Sequence, residues 1–218
     1  MALSDASFSM IIDDIQRVLA ASGLITRGAF LATAEDDVPE GGRTVVMIGN
    51  AGPKMWQAFA QTDPSSTNPL DAWTRDILDP VAAAFGATAL YPFSGPPYHP
   101  FQRWAMRADN VTPSPIGPLI HPTFGLWHAY RGALVFNTKI DIPTPSRTPS
   151  PCTSCADKPC LNTCPVGAFT EAGYDVPTCR THIATPDGQN CLDKGCLARR
   201  DCPVGQDYIY ASAQAGFH

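Results

Sequence analysis

The sequence predicts an α+β protein built in two parts. Strand and helix patterns interleave in the first two thirds of the chain without a regular βαβ rhythm. A proline- and serine-rich segment follows at residues 144–151, and all eight cysteines lie beyond it. We therefore expect an N-terminal domain at 1–143 with a mixed or antiparallel sheet, a linker at 144–151, and a small cysteine-rich C-terminal domain at 152–218.

The first half of the N-terminal domain predicts two helices around one buried strand. Apolar residues recur at three- and four-residue steps in residues 6–22, which predicts an amphipathic helix that Gly23 ends. Residues 44–48 form a short β-branched run typical of a buried strand. Residues 53–61 open on a proline suited to a first helical turn, which predicts the second helix.

The second half of that domain predicts two further helices and two strands. The longer helix spans 70–85, where Pro80 predicts a kink or a break. A strand at 88–91 and a short helix at 100–108 follow. Residues 131–142 alternate between apolar and polar side chains, which predicts the clearest strand of the chain.

Composition restricts the classes of partner. The chain has 218 residues, of which 44% are hydrophobic and 16% charged, as expected for a folded globular protein. Its formal net charge of −5 and its lack of a basic stripe predict no nucleic-acid partner. No apolar run reaches the roughly 18–20 residues of a membrane helix. Residues 1–22 lack the basic and apolar regions of a signal peptide, so we expect a cytoplasmic protein without a membrane partner.

The cysteines form two runs, and each run closes in Cys-Pro. The runs are Cys152-x2-Cys155-x4-Cys160-x3-Cys164-Pro165 and Cys179-x11-Cys191-x4-Cys196-x5-Cys202-Pro203. This pattern is typical of proteins with two [4Fe–4S] clusters, in which the fourth cysteine of each run binds the cluster of the other run. We therefore predict one cluster on Cys152, Cys155, Cys160 and Cys202, and a second on Cys164, Cys179, Cys191 and Cys196.

Three other uses of eight cysteines compete with this prediction. Structural zinc sites also use four cysteines, although only Cys152 and Cys155 have the usual x2 spacing. Disulfides would require an oxidising compartment, and eight free thiols would not be expected to gather in about fifty residues. The x4 and x11 gaps are wider than in compact bacterial ferredoxins and predict loops that cover a cluster or contact another domain.

A second candidate site lies just before the last predicted strand. It contains His121, Gly125, Trp127, His128 and Arg131. Glycine lets backbone approach a flat ligand closely, aromatic rings offer such a ligand a face, and histidine can bind a metal or move a proton. Pockets and cores share aromatic residues and glycines, and residue types alone favour a rigid aromatic corner of the core over a ligand site.

Two resemblances bear on these patterns. The segment IHPTFGLWHAYRG at 120–132 is similar to a segment of the cobalamin-processing chaperone family, the methylmalonic aciduria and homocystinuria type C proteins. That resemblance implies a nitroreductase-like fold that binds a corrinoid. The cysteine region resembles the epoxyqueuosine reductases through Cys164-Pro-Val-Gly-Ala, Cys179-Arg-Thr-His and Cys202-Pro203. Those enzymes join a corrinoid domain to a ferredoxin-like part with two [4Fe–4S] clusters.

The resemblances imply an oxidoreductase in which a low-potential electron donor protein reduces the clusters and the clusters reduce a bound corrinoid (cobalamin). They imply that His121 and His128 lie near the corrinoid, that Gly125 and Trp127 form its bed, and that Arg131 meets an anionic side group. The sequence identifies no catalytic acid–base pair. The chain is much shorter than an epoxyqueuosine reductase, so we do not expect tRNA modification.

Two alternatives remain for the N-terminal domain. In the first, the protein is a ferredoxin-like electron carrier whose N-terminal domain docks a protein partner and binds no small cofactor. In the second, the domain binds flavin. Electron transfer through iron–sulfur clusters is common to all of these hypotheses.

Overall fold

The computed structural model describes residues 5–62, 66–143 and 147–217. The described residues form ten helices and eight strands. The helices are α1 (Asp5–Leu19), α2 (Lys54–Phe59), α3 (Pro69–Phe85), α4 (Phe101–Ala108), α5 (Pro151–Ser154), α6 (Pro159–Asn162), α7 (Val176–Ile183), α8 (Gln189–Lys194), α9 (Leu197–Arg200) and α10 (Ser212–Phe217). The strands are β1 (Ile25–Leu31), β2 (Thr44–Ala51), β3 (Ala87–Leu90), β4 (Thr112–Pro113), β5 (Leu119–Ile120), β6 (His128–Phe136), β7 (Phe169–Thr170) and β8 (Gly173–Tyr174).

The chain divides into two compact units. Unit 1 comprises residues 1–110 and 129–147, and unit 2 comprises residues 111–128 and 148–218. This division differs from the one expected from sequence, which placed 111–128 in the N-terminal domain. The second boundary falls within the proline–serine linker expected at 144–151, of which residues 144–146 lie outside the described ranges.

Unit 1 contains a four-stranded sheet in the order β1-β2-β6-β3. Strand β1 pairs antiparallel with β2, and β3 pairs antiparallel with β6, so the α+β prediction with an antiparallel sheet is confirmed. Strand β1 was not predicted. Gly28 interrupts its apolar alternation at a register shift between Thr26 and Ala29, and it adopts a φ of +82°.

Strand β6 begins and ends earlier than the predicted strand at 131–142. The strand ends at Phe136, and the next residues turn towards Thr44 at the start of β2. The Thr44 hydroxyl donates to the Thr138 carbonyl (2.8 Å) and accepts from the Ile140 N–H (3.0 Å). This buried threonine replaces ladder hydrogen bonds, which explains why apolar alternation continues beyond the strand.

The helices of unit 1 agree closely with the sequence pattern. Helix α1 continues into a 3-10 turn that ends at Gly23, whose φ is +69°. Helix α3 runs from Pro69 to Phe85 without a break at Pro80, and Gly86 ends it in the left-handed conformation. The apolar faces of α1, α2 and α3 form one core with the sheet, around Leu19, Ile48, Met55, Leu78 and Leu134.

Unit 2 is built from short elements. Strands β4 and β5 form one antiparallel pair, and β7 and β8 form another. Six helices of four to eight residues surround the cysteines. Two contacts show why residues 111–128 belong to this unit: Thr112 donates to the Ser150 hydroxyl (2.7 Å), and the Arg199 guanidinium donates to the Leu126 carbonyl (2.7 Å). In the part of the chain that the structure describes, no helix is long and apolar enough to cross a membrane.

Candidate functional site

Two of the cavities in unit 2 are each lined by four cysteines. We name each cavity after its first cysteine. The Cys152 cavity is lined by Cys152, Cys155, Cys160 and Cys202. The Cys164 cavity is lined by Cys164, Cys179, Cys191 and Cys196. In each cavity three cysteines are close in sequence and one comes from the other run, which is the grouping that crossed ligation requires.

The Cys152 cavity is the smaller of the two. Ser150 caps helix α5, with its hydroxyl accepting the Cys152 N–H, and Pro151 fills the first turn of that helix. Cys160 and Cys202 are buried. Burial, together with the neighbouring thiols, raises the pKa of both, because a thiolate is poorly solvated there and repels another thiolate.

The Cys164 cavity is wider and is built by three different helices. Cys179 lies in α7, Cys191 lies in α8, and Cys196 immediately precedes α9. The Cys164 Sγ accepts a hydrogen bond from the Ala168 N–H (3.3 Å). A hydrogen bond to Cys179, together with burial, raises the pKa of Tyr174 to about 12. The tyrosine hydroxyl therefore stays protonated at neutral pH and can donate to sulfur.

The arrangement of the cysteine side chains can be compared with that of a single-ion site. Structural zinc needs four ligand atoms at about 2.3 Å from one point. Among residues 5–62, 66–143 and 147–217, no group of three or more His, Cys, Asp or Glu is placed to hold one metal ion. All eight cysteines lie within those ranges, and none forms a disulfide.

The glycine and the tryptophan of the predicted ligand segment are used for packing inside unit 2. Gly125 has a φ of +56°, and a Cβ at this position would lie 1.9 Å from the Val204 carbonyl oxygen. Trp127 is fully buried, with the Arg199 guanidinium 4.5 Å from its ring centre and the Tyr210 ring at 5.5 Å. The sequence analysis assigned Gly125 and Trp127 to contacts with a flat ligand. In the structure Val204 approaches Gly125, and Arg199 and Tyr210 contact the ring of Trp127.

Hydrogen bonds to the backbone hold the two histidines of that segment. The Nδ1 atom of His121 accepts the N–H groups of Thr123 (3.0 Å) and Phe124 (3.2 Å), so its ring proton lies on Nε2. His128 is buried, and its Nε2 lies 3.0 Å from the Leu119 carbonyl oxygen, which can only accept a hydrogen bond. Neither Nε2 atom therefore offers a lone pair to a metal in this arrangement.

Arg131 lies in unit 1, whereas the other four residues of the predicted ligand site lie in unit 2. Its guanidinium donates to the Asp71 carboxylate (2.8 Å) and to the Thr74 hydroxyl (3.3 Å). Its side chain is only 12% exposed. The anionic partner expected for Arg131 is thus supplied within unit 1 by a carboxylate of helix α3.

The sequence analysis missed Arg199, which lines the Cys164 cavity. Its Nε and Nη2 atoms both donate to the Leu126 carbonyl oxygen, at 3.0 and 2.7 Å. The guanidinium contacts the rings of Trp127 (4.5 Å) and Tyr210 (4.7 Å), which also pack against each other at 5.5 Å. Burial lowers the pKa of Arg199, although arginine remains a cation at neutral pH. Its only sequence signal is a position midway between Cys196 and Cys202.

Comparison with solved structures shows a shared fold. No protein-family model matches the sequence, and no curated protein is similar to it in sequence. Epoxyqueuosine reductase from Streptococcus thermophilus is similar with a TM-score of 0.58 and 14% identity, over 91% of this chain and 67% of that one. An epoxyqueuosine reductase with an epoxyqueuosine-modified tRNA-Tyr stem loop is similar with a TM-score of 0.56 and 15% identity, over 94% and 68%.

A third structure is more distant. The Caenorhabditis elegans B12-trafficking protein CblC, a homologue of human MMACHC, gives a TM-score of 0.46 at 16% identity, over 96% of this chain and 91% of that one. That similarity is too low to support an argument. At these identities the reductases establish the fold alone. The tRNA-bound neighbour does not fit the expectation, drawn from net charge, that nucleic acid is excluded as a partner.

Proposed function

We propose that the protein is an iron–sulfur electron-transfer protein that holds one [4Fe–4S] cluster in each cysteine cavity. A low-potential donor protein supplies the electrons. The observation that carries the proposal is the grouping of the cysteines into two cavities of four, with Cys164 and Cys202 exchanged between the runs. Four thiolates are the complete ligand set of one such cluster. The fold that the chain shares with epoxyqueuosine reductase agrees with this role.

The surroundings of the sulfurs support the same role. A bound [4Fe–4S] cluster accepts and releases single electrons, and hydrogen bonds to its sulfur ligands set its potential. Backbone N–H groups point at the sulfurs of Cys164, Cys196 and Cys202. Each of them stabilises a thiolate in surroundings where burial alone would favour the neutral thiol. The residues lining the Cys152 cavity are mostly apolar, which limits access of water to that site.

The test counts iron in anaerobically reconstituted variants. The wild-type protein should hold about eight iron atoms per chain, four in each cluster. Replacing two cysteines of one cavity, as in Cys160→Ala/Cys202→Ala, should remove one cluster and leave about four iron atoms. Replacing one cysteine from each cavity, as in Cys164→Ala/Cys202→Ala, should impair both clusters and leave well under four.

Cys164→Ala/Cys202→Ala is the matched control for Cys160→Ala/Cys202→Ala, because each double variant loses two thiols. Ligation by each run separately would put Cys164 and Cys160 in one cluster and Cys202 in the other. The two double variants would then lose equal amounts of iron, which would refute the crossed assignment. Zinc in place of iron in the purified wild type would refute the cluster proposal itself.

A second candidate concerns the electron acceptor. We propose a corrinoid as the acceptor, supported by the fold that the chain shares with epoxyqueuosine reductase and by the resemblance of residues 120–132 to cobalamin-processing proteins. The residues present fit this group only in part. Gly125 is blocked by Val204, whereas the buried Trp127 Nε1–H has no hydrogen-bond acceptor among the described residues. His121 is a further donor, through its Nε2–H.

The acceptor test is an anaerobic titration of cluster-replete protein with cob(II)alamin, followed by absorbance. Saturable binding with a spectral change supports a corrinoid acceptor, and His121→Ala should weaken that binding without loss of iron. An absence of binding, with eight-iron protein that bleaches reversibly, would favour an electron carrier whose N-terminal domain docks a protein. A parallel titration with a tRNA stem loop tests whether nucleic acid binds.

A further inference from the structure

We propose that Arg199 sets the reduction potential of the cluster in the Cys164 cavity by holding a fixed positive charge at the cavity wall. This inference rests on the proposed function, because it requires a cluster in that cavity. It assigns to one side chain a task that the cysteine pattern does not show.

The first observation is the position of the charge. Arg199 lines the Cys164 cavity together with all four of its cysteines. It lies three residues after Cys196, and the Arg199 backbone N–H is one of two that point at the Cys196 sulfur. Both the backbone and the side chain of this residue thus belong to the surroundings of one ligand set.

The second observation is how firmly the charge is held. The fork of two hydrogen bonds to the Leu126 carbonyl fixes the plane of the guanidinium. The rings of Trp127 and Tyr210, which are 0% and 5% exposed, both lie against it at 4.5 and 4.7 Å. Arg199 itself is half-buried, so water screens its charge less than it screens the charge of a fully exposed arginine.

The third observation is that its partners are neutral. The guanidinium contacts a carbonyl oxygen, an indole and a phenol, none of which carries a formal charge. Ion pairing with a carboxylate would cancel much of the field, as it does for Arg131 and Asp71 in unit 1. The charge of Arg199 is therefore not offset by a carboxylate among these contacts.

The consequence follows from the sign of the charge. A cluster on four thiolates is negatively charged, and reduction by one electron makes it more negative. A nearby cation stabilises the reduced form more than the oxidised form, so it raises the reduction potential. Arg199 should therefore make the cluster in the Cys164 cavity easier to reduce than it would be without the cation.

The test is a potentiometric titration, followed by electron paramagnetic resonance, of the full-length protein with both clusters. Arg199→Gln and Arg199→Met remove the charge and should lower the equilibrium constant for reduction of one cluster at least tenfold, which is about 59 mV for one electron. Arg199→Lys keeps the charge and should restore most of the potential. Arg200→Gln is the matched control, since Arg200 carries the same charge but binds Asn190 (3.0 Å), and it should change the constant by less than about threefold.

The outcomes separate the two proposals. A wild-type protein without two reducible clusters contradicts the proposed function, and no potential can then be assigned. Full iron content with an unchanged potential in both neutral variants overturns the role of Arg199. A potential in Arg199→Lys as low as in Arg199→Gln overturns it as well, because the charge would not be the cause. Loss of the cluster from both neutral variants, with retention in Arg199→Lys and no altered potential, would show a structural role only.

Discussion

Substitution of Gly125 by alanine should loosen the loop that follows the last cysteine. The new Cβ would lie 1.9 Å from the Val204 carbonyl oxygen and 2.6 Å from its carbon, both of which are backbone atoms that cannot rotate away. Overpacking of this kind costs about 1–3 kcal/mol. The φ of +56° adds roughly 1–2 kcal/mol for a residue with a Cβ. Gly125→Ala should therefore destabilise unit 2 and speed iron loss from the Cys152 cavity.

Gly167→Ala is the matched control for this prediction. Gly167 has a φ of +58°, yet a Cβ there would meet no atom within 4 Å. The two variants share the backbone strain and differ only in the steric contact. At roughly 2–4 °C per kcal/mol, Tm of Gly125→Ala should lie about 2–12 °C below that of Gly167→Ala.

Two assays check this difference: thermal unfolding under anaerobic conditions, and the rate of iron release to a chelator. Equal Tm values and equal release rates for the two variants would refute the reasoning. The close contact between the Phe124–Gly125 and Val204–Gly205 backbones would then have no measurable effect on stability.

Two further predictions concern unit 1. Arg131→Gln should lower the free energy of unfolding in urea by about 1–3 kcal/mol, because it removes a charged hydrogen bond to Asp71 at 2.8 Å; unchanged stability with weaker corrinoid binding would instead place Arg131 at a ligand. Burial would raise the pKa of Asp36, but hydrogen bonds from Arg107 and Thr33 hold this pKa below its ordinary value. A lowered pKa stabilises the folded state above the unfolded pKa of about 3.9 and stops doing so as pH falls through the folded value. The difference in unfolding free energy between wild type and Asp36→Asn should be full at neutral pH and shrink in acid, whereas a difference independent of pH would contradict this.

The elements that the sequence predicted well are those with local causes. Helix α3 follows from its apolar period, and a proline and a glycine bound it at Pro69 and Gly86. Strand β1 was missed for a non-local reason. It carries Arg27 in a buried position, and partners distant in sequence make that burial tolerable: an ion pair at 2.8 Å with Asp109, 82 residues further along the chain, and a hydrogen bond to the Asn50 carbonyl (3.2 Å). No local pattern shows that pairing.

The candidate cluster site also has some features that the local sequence predicts and others that only the fold creates. Cysteine is the ligand that iron–sulfur chemistry uses, so type, number and spacing together predicted the clusters from the sequence. The sequence did not predict a role for Arg199, because no local pattern shows that its side chain will contact Leu126, Trp127 and Tyr210. Two of these three residues, Leu126 and Trp127, lie more than seventy positions away.

The sequence by itself determined the α+β class, the two cysteine runs and the chemistry that eight thiolates can perform. Only the tertiary structure decided that residues 111–128 pack with the cysteine region, and that Gly125 and Trp127 face protein within unit 2. The physical reason is that a missing Cβ permits close approach by any group, and an aromatic face accepts any flat partner. Residue type shows which contacts Gly125 and Trp127 can make. The positions of the neighbouring chain segments decide whether a ligand or the protein itself makes those contacts.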